Sequence, residues 1–225
     1  MAYPFNKIYL MWRLGIGSRR IIIGELSDFK NGNLKFSYIE DGVNEAIEIS
    51  DKNFKGYPGL DLSKPSFDPE LIKSLFFSRL VSTKRQDAKE LLSFWLVEGN
   101  RISDQLYILA KTQGLLPTDN FEFVANYYSN QRCPFVTDIA GLSASDFDLA
   151  TLEEGNYLSF ELEQDNEYDK NAVAVYYKEN KIGYIKQGHN IAFKRKNKSK
   201  VTIRVHKIII TPKIKKLYVR IDFMK

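Results

Sequence analysis

Apolar residues near the start of the chain fall at every second position, and the period then changes. Residues 8–13 and 21–23 are rich in β-formers, and the glycine-containing stretch 15–18 between them predicts a hairpin. Residues 34–39 alternate apolar and polar after an Asn31-Gly32-Asn33 turn, so a small antiparallel meander is expected. Residues 53–67 are dense in Gly, Pro, Ser and Asp and read as an irregular connection. Beyond them the spacing is helical. A first helix is predicted from about Pro69, with Asp68 as N-cap and Leu71, Leu75, Phe76 and Leu80 on one face. A second is predicted over 86–98, with Leu91, Leu92, Trp95 and Leu96 inward and a stop at Gly99. A third starts at Ser103 as cap, carries Leu106, Ile108 and Leu109, and ends at Gly114. These stripes read as core packing and not as a cofactor box.

Residues 125–134 read as a linker. After them strands are predicted at 135–139, 157–162, 172–177, 181–185, 201–210 and 217–223, the last two joined around Pro212. Short helices are predicted at 145–152 and 189–194. Many short strands with two short helices predict a small β-barrel. The expected fold class is therefore α+β in two domains. Residues 1–125 form a small antiparallel sheet with about three helices, and residues 132–225 form an OB-like barrel.

Composition narrows the function. The chain has 225 residues, one Cys and two His, so neither a disulfide framework nor a Cys/His zinc site is expected. No apolar run reaches the roughly 20 residues that span a bilayer. A soluble, cytoplasmic protein without a membrane partner is the expectation. Charge is unevenly spread: residues 1–125 are neutral overall, 126–169 carry net −9 and 170–225 carry net +14. So basic a final block attracts phosphate, unless the acidic block cancels it within the fold. The run 194–200 reads as an exposed basic turn.

The most informative segment is 137–187. It holds Ile139-Ala140-Gly141-Leu142, then Asp165-Asn166-Glu167-Tyr168-Asp169-Lys170-Asn171-Ala172, then Lys181-Ile182-Gly183-Tyr184-Ile185. This arrangement resembles the HIRAN domain over about residues 132–225. The resemblance implies an OB-like barrel that binds single-stranded DNA, in some members by capturing a free 3′-hydroxyl end. The residues fit that chemistry. Tyr168 can stack on a base, and Asp169 can accept a hydrogen bond from a sugar hydroxyl while repelling phosphate. Lys170, Lys186, His189, Lys194 and Arg195 can neutralise neighbouring phosphates, and Asn166 and Tyr184 complete the expected site. The bland alternative is that Asn166, Asp169 and Asn171 only build a turn. The chain departs from the end-binding members where Thr137 and Asp138 replace a basic-aromatic pair. It departs again at Tyr184, where a histidine can occur, and at Gln187, which replaces a basic residue. The spacing Asp165-x-Glu167-x-Asp169-x-Asn171 is not an EF-hand, because Lys170 and Tyr176 occupy the positions that need Gly and Glu.

Residues 21–125 more faintly resemble the N-terminal subdomain of HipA-type toxin kinases, through Ile23-Gly24-Glu25-Leu26, Leu75-Phe76-Phe77-Ser78-Arg79-Leu80 and the run from Leu106 to Gly114. The likeness implies a protein-interaction or antitoxin-like role, with a protein partner met through residues 1–125. No phosphate loop or kinase catalytic loop is present. Arg19 and Arg20 read as solvated turn charges, and Glu153-Glu154 and Asp146/Asp148 as a solvated helix face. A binding module with no catalytic residues, metal or cofactor is the expectation.

Overall fold

A computed structural model describes residues 2–29, 33–195, 200–212 and 214–224, the side chain of Arg195 excepted. Asn31 and Gly32 of the expected turn, and residues 196–199 of the basic run, lie outside the described residues. The chain divides into two compact units, Met1–Asn126 and Tyr127–Lys225.

The first unit is built on an antiparallel sheet. Its strands are β1 (Phe5–Trp12), β2 (Ile21–Ser27), β3 (Lys35–Tyr38) and β4 (Phe121–Tyr127), in the order β3-β2-β1-β4. Ile8 lies opposite Leu26, and Gly24 opposite Tyr38. Four helices accompany it: α1 (Glu40–Ile49), α2 (Pro69–Phe77), α3 (Ala88–Phe94) and α4 (Gln105–Thr112). Asp68 caps α2 as expected, its Oδ1 accepting from the N–H groups of Glu70 and Leu71 at 2.9 and 3.1 Å. Asp104, not Ser103, caps α4 by accepting from Tyr107 N–H at 3.0 Å. The buried face of α2 is Ile72 and Phe76, while Leu71 is exposed. The second helix is shorter than expected, because Leu96 turns left-handed with φ 55° just after it.

Helix α1 and strand β4 correct the sequence reading, which placed neither. Gly42 inside α1 argues against a helix by propensity. It is there because any Cβ would collide with the Ile22 carbonyl oxygen of β2, on which the helix lies. Strand β4 overlaps the expected linker, with Glu122, Phe123, Val124 and Ala125 all buried. Its entry is locked by buried Arg79. That guanidinium donates to both carboxylate oxygens of Asp119, at 2.6 and 2.9 Å, and to the carbonyls of Gly114 and Phe121 at 2.7 and 3.0 Å. Arg19 and Arg20 are not free turn charges either, since they pair with Glu45 and Glu122.

The second unit is a closed six-stranded barrel. Its strands are β5 (Phe135–Ala140), β6 (Tyr157–Glu163), β7 (Ala172–Tyr177), β8 (Asn180–Ile185), β9 (Val201–Ile210) and β10 (Lys215–Phe223), in the circular order β10-β5-β8-β7-β6-β9. Inward positions supply the core: Leu158 and Phe160 from β6, Val173 and Val175 from β7, Ile182 and Ile185 from β8, and Ile203, Val205, Val219 and Ile221 from the long hairpin. Each strand has a hydrogen-bonded neighbour on both sides, which closes the sheet on itself. Gly183 is required where β8 meets β5, because a Cβ there would strike the Ala140 carbonyl oxygen and lie 2.7 Å from Ile139 Cγ2. The two short helices expected in this half are 3-10 turns, at Leu149–Thr151 and Asn190–Arg195, and a further 3-10 turn lies at Leu142–Ala144. Asp148 caps one of them, and Glu154 forms an exposed pair with Lys207. Among the described residues no helix is long and apolar enough to cross a membrane.

Candidate nucleic-acid site

The loop between β6 and β7, residues 164–171, is shaped by its own side chains. Asn166 Oδ1 accepts from the backbone N–H groups of Tyr168 and Asp169 at 3.0 and 3.1 Å. Asp169 Oδ1 accepts from Asn171 N–H at 2.8 Å, and Ala172 N–H donates to the Asp169 carbonyl at 2.8 Å. Asn and Asp side chains thus mimic backbone turns and set the loop's course, as the bland reading expected. That course leaves Tyr168 projecting, with 75% of its surface exposed.

Two further contacts hold the loop to the barrel. Asn190 Nδ2 donates to Asp169 Oδ2 at 2.6 Å and to the Asn171 carbonyl at 2.9 Å, while its own Oδ1 accepts from Gly188 N–H at 3.1 Å. On the other side Asn166 Nδ2 donates to Glu163 Oε2 at 3.1 Å and to the Tyr184 hydroxyl at 3.4 Å. The Tyr184 hydroxyl donates to Glu163 Oε2 at 3.0 Å, and Lys181 donates to Glu163 Oε1 at 2.6 Å. Burial pushes the Glu163 carboxyl up, but hydrogen bonds from Lys181, Asn166 and Tyr184 outweigh it and hold the group below its ordinary range. Glu163 therefore stays ionised and organises the three donors around it.

The structure brings together Asn166, Tyr168, Asp169, Lys170 and Tyr184. Lys170 is exposed beside Asp169, and Lys194 is exposed on the turn that Asn190 begins. The side chain of Arg195 lies outside the described residues. Lys186 and His189 need correction as surface phosphate contacts, because both are buried. Lys186, just past the end of β8, is fully buried and pairs with Asp138, itself buried next to fully buried Thr137. His189 lies 4.7 Å from the Phe135 ring and 5.7 Å from the Tyr127 ring, between centroids. Asn190, Glu163 and Lys181 escaped the sequence reading. Lys181 and Glu163 were legible as outward positions of alternating strands, but nothing in sequence pairs Asn190 with Asp169 across 21 positions.

Neither ring nitrogen of His189 has a hydrogen-bond partner among the described residues. Burial is the main cause that holds its imidazole well below the ordinary 6.5; the Lys186 charge adds to this and the Asp138 charge opposes it. The folded barrel thus keeps His189 neutral, while the unfolded chain takes up a proton below about pH 6.5. The stability tied to this group is complete above that pH. It is lost as pH falls from there toward the depressed folded value, by up to about 1.4 kcal/mol per unit. The barrel's urea midpoint, read from NMR cross-peaks of its amides, is expected to be lower at pH 5.5 than at 7.5. His189→Phe is expected to flatten that difference; an unchanged pH response in the variant would refute the assignment.

Among the described residues no group of three or more His, Cys, Asp or Glu side chains is placed to hold a metal ion. The site consists of an exposed aromatic ring, a carboxylate fixed by two donors, and exposed lysines. That set can stack a flat ring, accept from a hydroxyl and attract phosphate.

Residues 118–224, just under half of the chain, match the HIRAN domain family. The match takes in β4 as well as the whole barrel. It supports the resemblance drawn from the Asn166 to Ala172 segment, and with it nucleic-acid binding as the class of activity. It says nothing of the likeness of residues 21–125 to HipA-type kinases. No curated protein and no solved structure matches the chain.

Proposed function

We propose that the barrel unit is a non-catalytic module that binds single-stranded DNA, or a DNA 3′ end, at the β6–β7 loop. The observation that carries this reading is the exposed Tyr168 ring on a loop already fixed by side-chain hydrogen bonds. A loop whose backbone is fixed before binding loses little conformational freedom when the ring it carries stacks. Base–aromatic stacking is worth roughly 1–3 kcal/mol per base. Asp169 spends one lone pair on Asn171 N–H and one on Asn190 Nδ2, and a carboxylate offers about four. It therefore keeps capacity to accept from a terminal sugar hydroxyl. Its negative charge disfavours a phosphate at the same point, which selects a strand end over continuous backbone. Lys170, next to it in sequence, and Lys194, exposed on the turn that Asn190 begins, serve as phosphate contacts.

A fluorescence-anisotropy titration with strands ending in a 3′-hydroxyl, strands ending in a 3′-phosphate and circular strands tests the proposal at two salt concentrations. The 3′-hydroxyl strand is expected to bind tightest, with affinity falling as salt rises. Equal binding of all three removes the role of Asp169, and no binding of any strand removes the function.

A second reading concerns residues 1–125 and takes a protein as partner, in the manner of an antitoxin-like regulator of a HipA-type kinase. The observation that favours it is the β1–β2 hairpin, where Leu14 is 49% and Ile16 79% exposed. Co-purification with such a kinase, lost on Ile16→Asp, is its test. The two readings concern different units and are compatible.

A further inference from the structure

Strand registers place a band of outward side chains around the barrel wall. Lys181 on β8 lies opposite Tyr176 on β7, and Tyr176 lies opposite Ser159 on β6. Two residues earlier, on the same outer face of β6, Tyr157 lies opposite Arg204 on β9, and Arg204 opposite Arg220 on β10. Leu158 and Phe160, between these outward positions, point into the core. Tyr157 is 69% exposed, so its ring contributes little to packing. The Arg204 guanidinium carbon is 5.8 Å from the centre of that ring.

The arginines are held in place without being neutralised. Asp222 accepts from Arg220 Nε and Nη2 at 2.8 Å each, and from Arg204 Nη2 at 3.3 Å. One carboxylate shared by two guanidiniums leaves a net positive charge beside the ring. Arg204 Nε has no hydrogen-bond partner among the described residues. At its other end the band reaches Tyr184 and Lys181, which touch Glu163 and, through Tyr184, Asn166 of the loop. The wall is therefore continuous with the site already described.

We infer that Tyr157, Arg204 and Arg220 form a second station for the strand bound at the β6–β7 loop. An inner base stacks on Tyr157, and the adjacent phosphate sits on the two arginines. The inference rests on the nucleic-acid reading above. A polynucleotide fits the band because it supplies both a flat ring and a regularly placed anion. An acidic peptide satisfies the arginines alone and leaves Tyr157 without a role. Tyr157 and Glu163 are six residues apart on β6, about 20 Å at the rise of an extended strand. A short oligonucleotide held at Tyr168 stops before the station, and a long one crosses it.

The test compares a trinucleotide with a dodecanucleotide, both with free 3′-hydroxyls, by anisotropy on the full chain. Tyr157→Ala is expected to weaken the dodecanucleotide roughly tenfold and leave the trinucleotide unchanged. Arg204→Gln is expected to reduce the salt slope of dodecanucleotide binding by about one. If Tyr157→Ala affects both lengths equally, or neither, the station is refuted while the loop site stands. If the unaltered protein binds neither length, both readings fall together. Displacement of the dodecanucleotide by polyglutamate as readily as by a second polynucleotide would reassign the band to an acidic protein partner and overturn the inference.

Discussion

Lys186→Met is expected to destabilise the barrel by about 3–5 kcal/mol, because it leaves the Asp138 carboxylate inside without its cation. Methionine preserves most of the lysine stem's volume, so the loss is electrostatic and not a cavity. The companion variant Lys186→Met with Asp138→Leu removes both charges and is expected to recover most of the loss, since an apolar pair of similar size commonly matches a buried ion pair. The units can be read separately. Both tryptophans, Trp12 and Trp95, lie in the first unit, so their fluorescence follows that unit alone. Hydrogen exchange of peptides from 135–223 follows the barrel. Unchanged protection of those peptides in the single variant would show that the pair does not hold the barrel together.

The second large effect is on binding. Tyr168→Ala is expected to weaken single-strand affinity by roughly 1–3 kcal/mol, about five- to 150-fold. Stability should not change, because the ring packs against little and the loop's hydrogen bonds come from Asn166 and Asp169. Tyr168→Phe keeps the ring face and is expected to retain most of the affinity. A loss as large in the phenylalanine variant would mean that the hydroxyl, and not stacking, makes the contact.

The strands of the barrel were readable from runs of β-formers bounded by turn residues, with clean alternation in β6, while β5 and most of β7 are buried on both faces. Residues 172–177 and 201–210 were bounded correctly from these signals alone. The segment Asn166 to Ala172 was readable for a different reason. Its hydrogen bonds are local, so short sequence spacing carries them. Helix α1 was not readable, because Gly42 answers to a backbone on another strand and not to its own helix. Strand β4 was missed because its Phe-Glu-Phe-Val-Ala-Asn-Tyr run is buried on both faces and shows no clean alternation.

For the site, composition could count the late basic residues but could not sort them. Lys170 and Lys194 face water, whereas Lys186 is buried just past the end of β8, where it meets Asp138. His189 reads like any other cationic candidate until Phe135 and Tyr127 are seen against it. By itself the sequence determined the two-unit α+β plan, the barrel's alternating strands and the side-chain-built loop, since these follow from local periodicity and short-range hydrogen bonds. Only the tertiary structure decided which charges are exposed, what pins Asp169, and that Tyr157 shares a wall with two arginines. Those depend on register and closure, which bring together residues far apart along the chain and leave no mark in local spacing.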